Sequence, residues 1–452
     1  MRIHYEIRPS SDLTTLTTRV CFPDGIPERF DAQMPAARWS LRAVRAQPGG
    51  QSLEQRVEGL DLSSLSAGDC LHMVLDLEKV ASKLENEKNM RRIGPDWYIS
   101  PDYWLWRPTD ARPMQLTADI ATPEGVTMSV PWPRLDDSAR YLIPPSTFLW
   151  QVPGTLARSP LASFPVGQAR VQVAILGDSW KISRADLLSW MRGAAEAVAR
   201  MGGMPTRHVQ VILLPAPTAS IGFGFATHGG GSTVVIFVGT AATPEVLRED
   251  WVAVHELLHL NMPMMDAESR WLNEGLSTYL EPLLRAQAGL HTPAQAWEQL
   301  HDGFQRGSGQ PSKQSLRKDC IDMHETRRYW RVYWAGAAIL FRADLAARQA
   351  GHSLAEEVLR IRECCKQTLE VTSANALMAR TTSAGTPMLP YLVAAATPRL
   401  DQVSFPELAD VYRALGLSFD ERGEVTLSRN PAQRALREQF TGPEDAPATP
   451  AP

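Results

Sequence analysis

The first third of the chain alternates apolar and polar positions over short runs, and the rest does not. "MQLTADIATPEGVTMSV" is typical of residues 1–168: two stretches of period two around "PEG", a turn signal. The pattern predicts an all-β domain over 1–168, closed by a Pro-studded, irregular connection in "PPSTFLWQVPGTLARSPLASFPVG". Beyond it, "RVQVAILG" and "HVQVILLP" predict strands, and "ATHGGGSTVVIFVG" is a glycine-rich lead-in to another. Between the first two, "SRADLLSWMRGAAEAVARMGG" predicts a helix with Ser183 as N-cap, Asp186 at N3 and Gly202 as stop. "TPEVLREDWVAVHELLHLNMP" predicts one helix from Thr243 as N-cap, with Pro244 in the first position, to Asn261, where Pro263 forbids extension. From about residue 265 the period is helical. "RRYWRVYWAGAAILFRADLAARQAG" predicts one helix ending at Gly351. "LADVYRALGLSFDERGEVTLSRNPAQRALREQF" predicts helix, hairpin-like turn, helix, and "PEDAPATPAP" a solvated tail.

Size and composition narrow the picture. A chain of 452 residues makes two to four domains at ~100–200 residues each. With 44% hydrophobic and 21% charged residues it can fill a sizeable core. The net charge of -4 and the lack of a long basic run argue against nucleic-acid binding. No apolar run approaches the ~18 residues of a membrane span, so a soluble protein is expected. The N-terminus, "MRIHYEIRPSSDLTTLTTRV", has no signal-peptide apolar core. A cytoplasmic protein and a periplasmic or secreted one with its leader removed both fit. Cys21, Cys70, Cys320, Cys364 and Cys365 form no CxxC pair, which argues against a cysteine zinc site, and their odd number leads us to expect buried or idle thiols.

Against this background one stretch carries chemistry. In "HELLH", His255 and His259 stand four apart on a helix, so both imidazoles share one face, one turn apart, within reach of one ion at ~2.0–2.1 Å. Glu256 beside them fits the general base of an HExxH zinc site. A solvated surface helix is the plain alternative. It fits poorly, because Trp251, Val252, Val254, Leu257, Leu258 and Leu260 surround the motif, and buried polar groups need a partner. Two neutral imidazoles leave a dication uncompensated, so the third ligand should be anionic, and Glu274 in "RWLNEGLSTYLE" is the candidate. Three protein ligands to one Zn2+ leave a fourth position for water, the catalytic arrangement. Ser277 or Thr278, about one turn after Glu274, could accept a hydrogen bond from a ligating histidine.

"HELLH" followed by "WLNEG" resembles the gluzincin metallopeptidases of the MA clan, in particular the aminopeptidase N and glycyl aminopeptidase families. The 14 residues between His259 and Glu274 make a shorter spacer than the first family's. The resemblance implies a multidomain chain: a β-rich domain over 1–168, a thermolysin-like α+β catalytic domain over 169–300, a helical C-terminal region over 301–442, and a tail over 443–452. It implies a zinc-dependent peptidase acting on peptide substrates, with His255, His259 and Glu274 as metal ligands and Glu256 as base. It further implies that Tyr333, in "YWAG", stabilises the tetrahedral intermediate, with Tyr329 one turn earlier as fallback. The substrate strand of those families corresponds to Thr227, His228, Gly229 and Gly230, with Thr227 where the glutamate that grips a free α-amino group would stand. An aminopeptidase is the leading reading. An endopeptidase, a catalytically silent peptide-binding protein on the same scaffold, and a zinc hydrolase of esters or epoxides stay open.

Overall fold

A computed structural model describes the chain except residues 33, 58, 85–89, 110–112, 136–139, 145–151, 228–230, 366–370, 384–388 and 449–452. The backbone gathers into two compact units. Residues 1–165, 170–184 and 206–243 form the first, and 166–169, 185–205 and 244–452 the second.

The first unit is built of sheets. Its six-stranded sheet runs, in spatial order, Tyr141–Ile143, Gln115–Ile120, Arg2–Pro9, Thr15–Cys21, Cys70–Asp76, Leu41–Gln47. Period two explains the sheet: in Arg2–Pro9, Ile3, Tyr5 and Ile7 are buried and alternate with more exposed residues. Trp97, Trp104, Trp106 and Trp132 fill the core, where the indole N–H groups of Trp106 and Trp132 are buried without a partner among the described residues. The Tyr5 hydroxyl donates to the Trp106 carbonyl at 2.9 Å, and the Trp97 indole to the Leu13 carbonyl at 2.7 Å. The strands either side of "PEG", Gln115–Ile120 and Thr127–Ser129, flank a turn with Gly125 at φ +71, yet they belong to different sheets.

Two expectations for this unit need correction. The Pro-studded stretch is not all irregular: it contains the strands Gly154–Ala157 and Ala162–Val166, while 145–151 lie outside the described residues. Proline is compatible here because Pro165 sits on an edge strand, where its missing N–H costs no ladder bond. The cysteines are not all idle thiols. Cys21 and Cys70 lie opposite each other on antiparallel strands and form a disulfide, as do Cys364 and Cys365 in the second unit, leaving Cys320 as a buried free thiol. Cross-strand register, which spacing along the chain does not reveal, brings the first pair together.

The last sheet of the first unit contains β1 (Ala162–Val166), β2 (Ala169–Ile175), β3 (His208–Ala216), β4 (Ile221–Thr227) and β5 (Ser232–Gly239), in the order β1-β2-β3-β5-β4. β2, β3 and β5 are parallel, and β4 closes the edge antiparallel to β5. The near-continuous burial of β3 is what a parallel strand covered on both faces requires.

After α1 (Arg184–Ala199), the second unit is helical: α2 (Pro244–Glu249), α3 (Val252–His259), α4 (Arg270–Gln287), α5 (Pro293–Ser308) and α6 (Tyr329–Gln349) are its main elements here. The expected single helix over 243–261 is broken in two. The Asp250 carboxylate accepts from the backbone N–H groups of Val252 and Ala253, each at 3.0 Å, and so begins a new helix where the old one would continue. α6 ends as expected before Gly351, at φ +83. The C-terminal segment forms helix Ala409–Leu415, hairpin Leu417–Phe419 with Val425–Leu427, and helix Pro431–Thr441. Of the expected tail, Glu444 is tied down, accepting from Arg437 Nε at 2.6 Å. No described helix is long and apolar enough to cross a membrane.

α4 and α6 cross at glycine. A Cβ on Gly275 would stand 2.6 Å from the Gly336 carbonyl carbon, and one on Gly336 would stand 2.0 Å from the Trp271 carbonyl oxygen. Only two glycines permit this approach. Gly275 directly follows Glu274, and Gly336 lies one turn after Tyr333, so the crossing point fixes both side chains. Buried carboxylates brace α6: Asp319 binds Arg331 Nε at 2.6 Å and Arg328 Nη1 at 2.8 Å, and Asp344 accepts from Tyr279 at 2.8 Å and from Arg348 at 3.1 Å.

Candidate metal centre

α3 is buried along its whole length, so its two histidines cannot use bulk water as a partner. Their Nε2 atoms converge at 3.2 Å. The Glu274 carboxylate from α4 meets both, Oε2 standing 3.5 Å from His255 Nε2 and 3.4 Å from His259 Nε2. Among the described residues this is the set of three that could hold a metal ion, their ligand atoms lying within 4.8 Å of one another. The spacing suits tetrahedral zinc: bonds of ~2.0–2.1 Å give ligand-to-ligand edges of ~3.3–3.4 Å. The electrostatics agree. Three lone pairs facing one point repel unless a positive charge sits among them. Burial alone pulls the His259 ring down, but the Glu274 carboxylate overrides it and pushes the ring up to about 9. Glu274 is held far below the usual carboxylate range, its burial outweighed by the imidazoles, and burial pulls His255 down. The group could therefore hold a cation, and a proton on His259 is the smallest that fits.

Glu256 follows His255 and is 8% exposed. Burial pushes its carboxyl up to about 7, Glu274 and Asp250 adding to the effect and His259 opposing it. Tyr333 stacks on His255, ring centroids 5.9 Å apart, and its hydroxyl donates to Glu274. Tyr329 turns elsewhere, its hydroxyl 3.3 Å from His324 Nδ1.

Compared as a fold, the chain is similar to an aminopeptidase N family protein from Idiomarina loihiensis, with a TM-score of 0.61 at 12% identity over 92% of this chain and 78% of that one. The chain has an aminopeptidase N-like fold. An M1 zinc metallopeptidase from Deinococcus radiodurans gives a TM-score of 0.48 at 16% identity, over 90% of this chain and 94% of that one. No sequence-family profile and no curated protein sequence matches the chain.

Within this aminopeptidase N-like fold, the structure adds to what the sequence suggested. Ser277 Oγ does lie 3.3 Å from His259 Nδ1, and Asn273, not among the residues expected from the sequence, offers Oδ1 to the same nitrogen at 3.4 Å. The available signal was the i, i+4 spacing of Asn273 and Ser277 around Glu274. Thr278 does not serve: its hydroxyl, like His255 Nδ1, is buried with no protein partner. Thr227 ends β4 in the first unit with its hydroxyl buried and unpaired. His228, Gly229 and Gly230 lie outside the described residues.

Proposed function

We propose that the chain is a zinc-dependent peptidase whose chemistry is carried by a thermolysin-like α+β catalytic domain over 169–300. The observation that carries the reading is the convergence of His255, His259 and Glu274 on one point, with the ionisable Glu256 beside it. Zinc held there would lower the pKa of water from ~15.7 toward ~7 and polarise a peptide carbonyl. The Glu256 carboxylate takes the proton of the attacking water and returns it to the departing amine, a role suited to a group poised near neutrality. The Tyr333 hydroxyl, which faces Glu274 now, swings to donate to the oxygen that gains negative charge as the carbonyl carbon becomes tetrahedral. Asn273 and Ser277 hold the His259 ring by its other nitrogen, which fixes the tautomer that presents Nε2.

Aminopeptidase action is the first reading, with peptides as substrates. One point of the family resemblance favours endopeptidase action: Thr227 stands in the sequence where those families carry the glutamate that grips a free α-amino group. The experiment is a panel of free and N-acetylated peptides incubated with zinc-loaded protein. Cleavage of the free peptides alone supports the aminopeptidase, equal cleavage of both supports the endopeptidase, and cleavage of neither overturns the peptidase reading.

A further inference from the structure

The second unit contains a cavity of about 210 Å³ whose lining includes none of His255, Glu256, His259, Glu274 or Tyr333. Its walls are largely apolar, with Trp190 of α1, Leu247 of α2, Val254 of α3 and Leu290 prominent, and Asp186, Arg248, Asp250 and Arg285 also line it. Among the buried groups the charges do not balance. Arg285, 2% exposed, gives Nη1 to Glu281 at 2.7 Å and Nη2 to the Arg248 carbonyl at 3.2 Å. One buried guanidinium thus faces two buried carboxylates, Glu281 and Asp250. The Arg248 guanidinium is engaged at the surface with Glu245, at 2.9 Å. Asp250 is bonded by the backbone N–H groups of Val252 and Ala253 and by the Trp190 indole, all uncharged donors. Burial pushes Asp250 up to about 6 and Glu281 up to about 7, as one cation shared by two acids would leave them.

The space is also kept open. Gly193 lines the cavity in the middle of α1, where glycine costs ~0.5–1 kcal/mol relative to alanine. No close approach demands it, since an added Cβ would make only an ordinary 3.4 Å contact with Leu290. A longer side chain there would grow into the cavity.

We propose that this cavity is a binding site for a small organic amine, its ammonium group on Asp250 and its apolar body against Trp190, Leu247, Val254 and Leu290. The occupant would also touch Ala253 and Val254, which immediately precede His255 and Glu256 in α3. The inference rests on the cavity and its charges, independently of the peptidase reading.

Calorimetric titration of the full chain with 2-phenylethylamine, 2-phenylethanol and phenylacetate tests it. A charged hydrogen bond predicts that the amine binds about tenfold or more tighter than the alcohol, with no binding of the acid, equally in zinc-loaded and chelator-treated protein. Gly193→Met should fill the space and abolish amine binding without lowering the melting temperature, methionine being the better helix former. Asp250→Asn, which keeps an oxygen for the start of α3, should reduce the amine to the level of the alcohol. Equal affinity for amine and alcohol, amine binding that vanishes with zinc, wild-type affinity in Gly193→Met, or no amine binding at millimolar concentration would each overturn the proposal.

Discussion

Glu256 holds a carboxyl group in an interior that resists its ionisation. Its neighbours Leu257 and Leu258 show what that helix accepts when only burial matters, both being fully enclosed. Glu256→Gln keeps the shape, and the expected result is full zinc content with turnover reduced by ~10²–10⁴-fold, read by metal analysis beside a peptide assay. Substantial remaining hydrolysis refutes the general-base role. His259→Ala differs in kind, because it removes one of the three converging atoms, so bound zinc itself should be lost. Tyr333→Phe separates a third role: kcat should fall by ~10²–10³-fold with zinc content unchanged. An unaltered kcat would remove Tyr333 from the mechanism, and Tyr329, turned toward His324, is not placed to inherit it. At this scale the sequence was informative where spacing along one helix decides geometry, as for His255 and His259. Where two helices must meet, charge and the family resemblance pointed to Glu274, whereas the pairing of Asn273 with His259, on another element, follows from the fold.

The helices succeed or fail on a few close approaches. Gly336 is the most restrictive, since any side chain there meets the Trp271 carbonyl oxygen. Gly336→Val should cost ~1–3 kcal/mol or more through overpacking, seen as a lower urea midpoint, and should displace Tyr333 and Glu274 relative to each other. A midpoint equal to the parent's would mean that α4 and α6 do not cross there. Asp319→Ala should be more damaging, ~3–5 kcal/mol, because it strands the buried Arg331 guanidinium without its partner. The elements themselves were largely legible: α1, β2, β3, β5, α6 and the C-terminal helix–hairpin–helix follow from period and end signals. The break between α2 and α3 hides inside an unbroken apolar period, because a side chain, Asp250, diverts the backbone donors of Val252 and Ala253. The strands at 154–157 and 162–166 hide behind prolines that an edge tolerates. The Cys21–Cys70 bond hides in cross-strand register.

For the whole molecule, a metal held by His255, His259 and Glu274 would couple its binding to folding and to pH. In the metal-free protein His259 titrates at about 9 against an ordinary 6.5, so the folded state binds its proton more tightly than the unfolded chain does. That contribution to stability is fully present below about 6.5 and is lost as the pH rises through about 9. Zinc requires the neutral ring and must displace this proton, so its affinity should rise about tenfold per pH unit until His259 is deprotonated. Glu256 works in the same direction: raised to about 7 by burial, it adds a negative charge beside the site as the pH climbs through that value. The two effects compound. Proton stabilisation of the metal-free fold fades over the interval in which zinc stabilisation grows, and each tenfold gain in affinity at fixed free zinc adds ~1.4 kcal/mol to the loaded fold. The difference in melting temperature between zinc-loaded and chelator-treated protein should therefore widen steadily from about pH 6.5 to about pH 9 and then level off. Differential scanning calorimetry across that range checks it. A difference that stays flat or narrows would mean that no proton leaves His259 when the metal arrives, and that the two imidazoles and Glu274 are not its ligands.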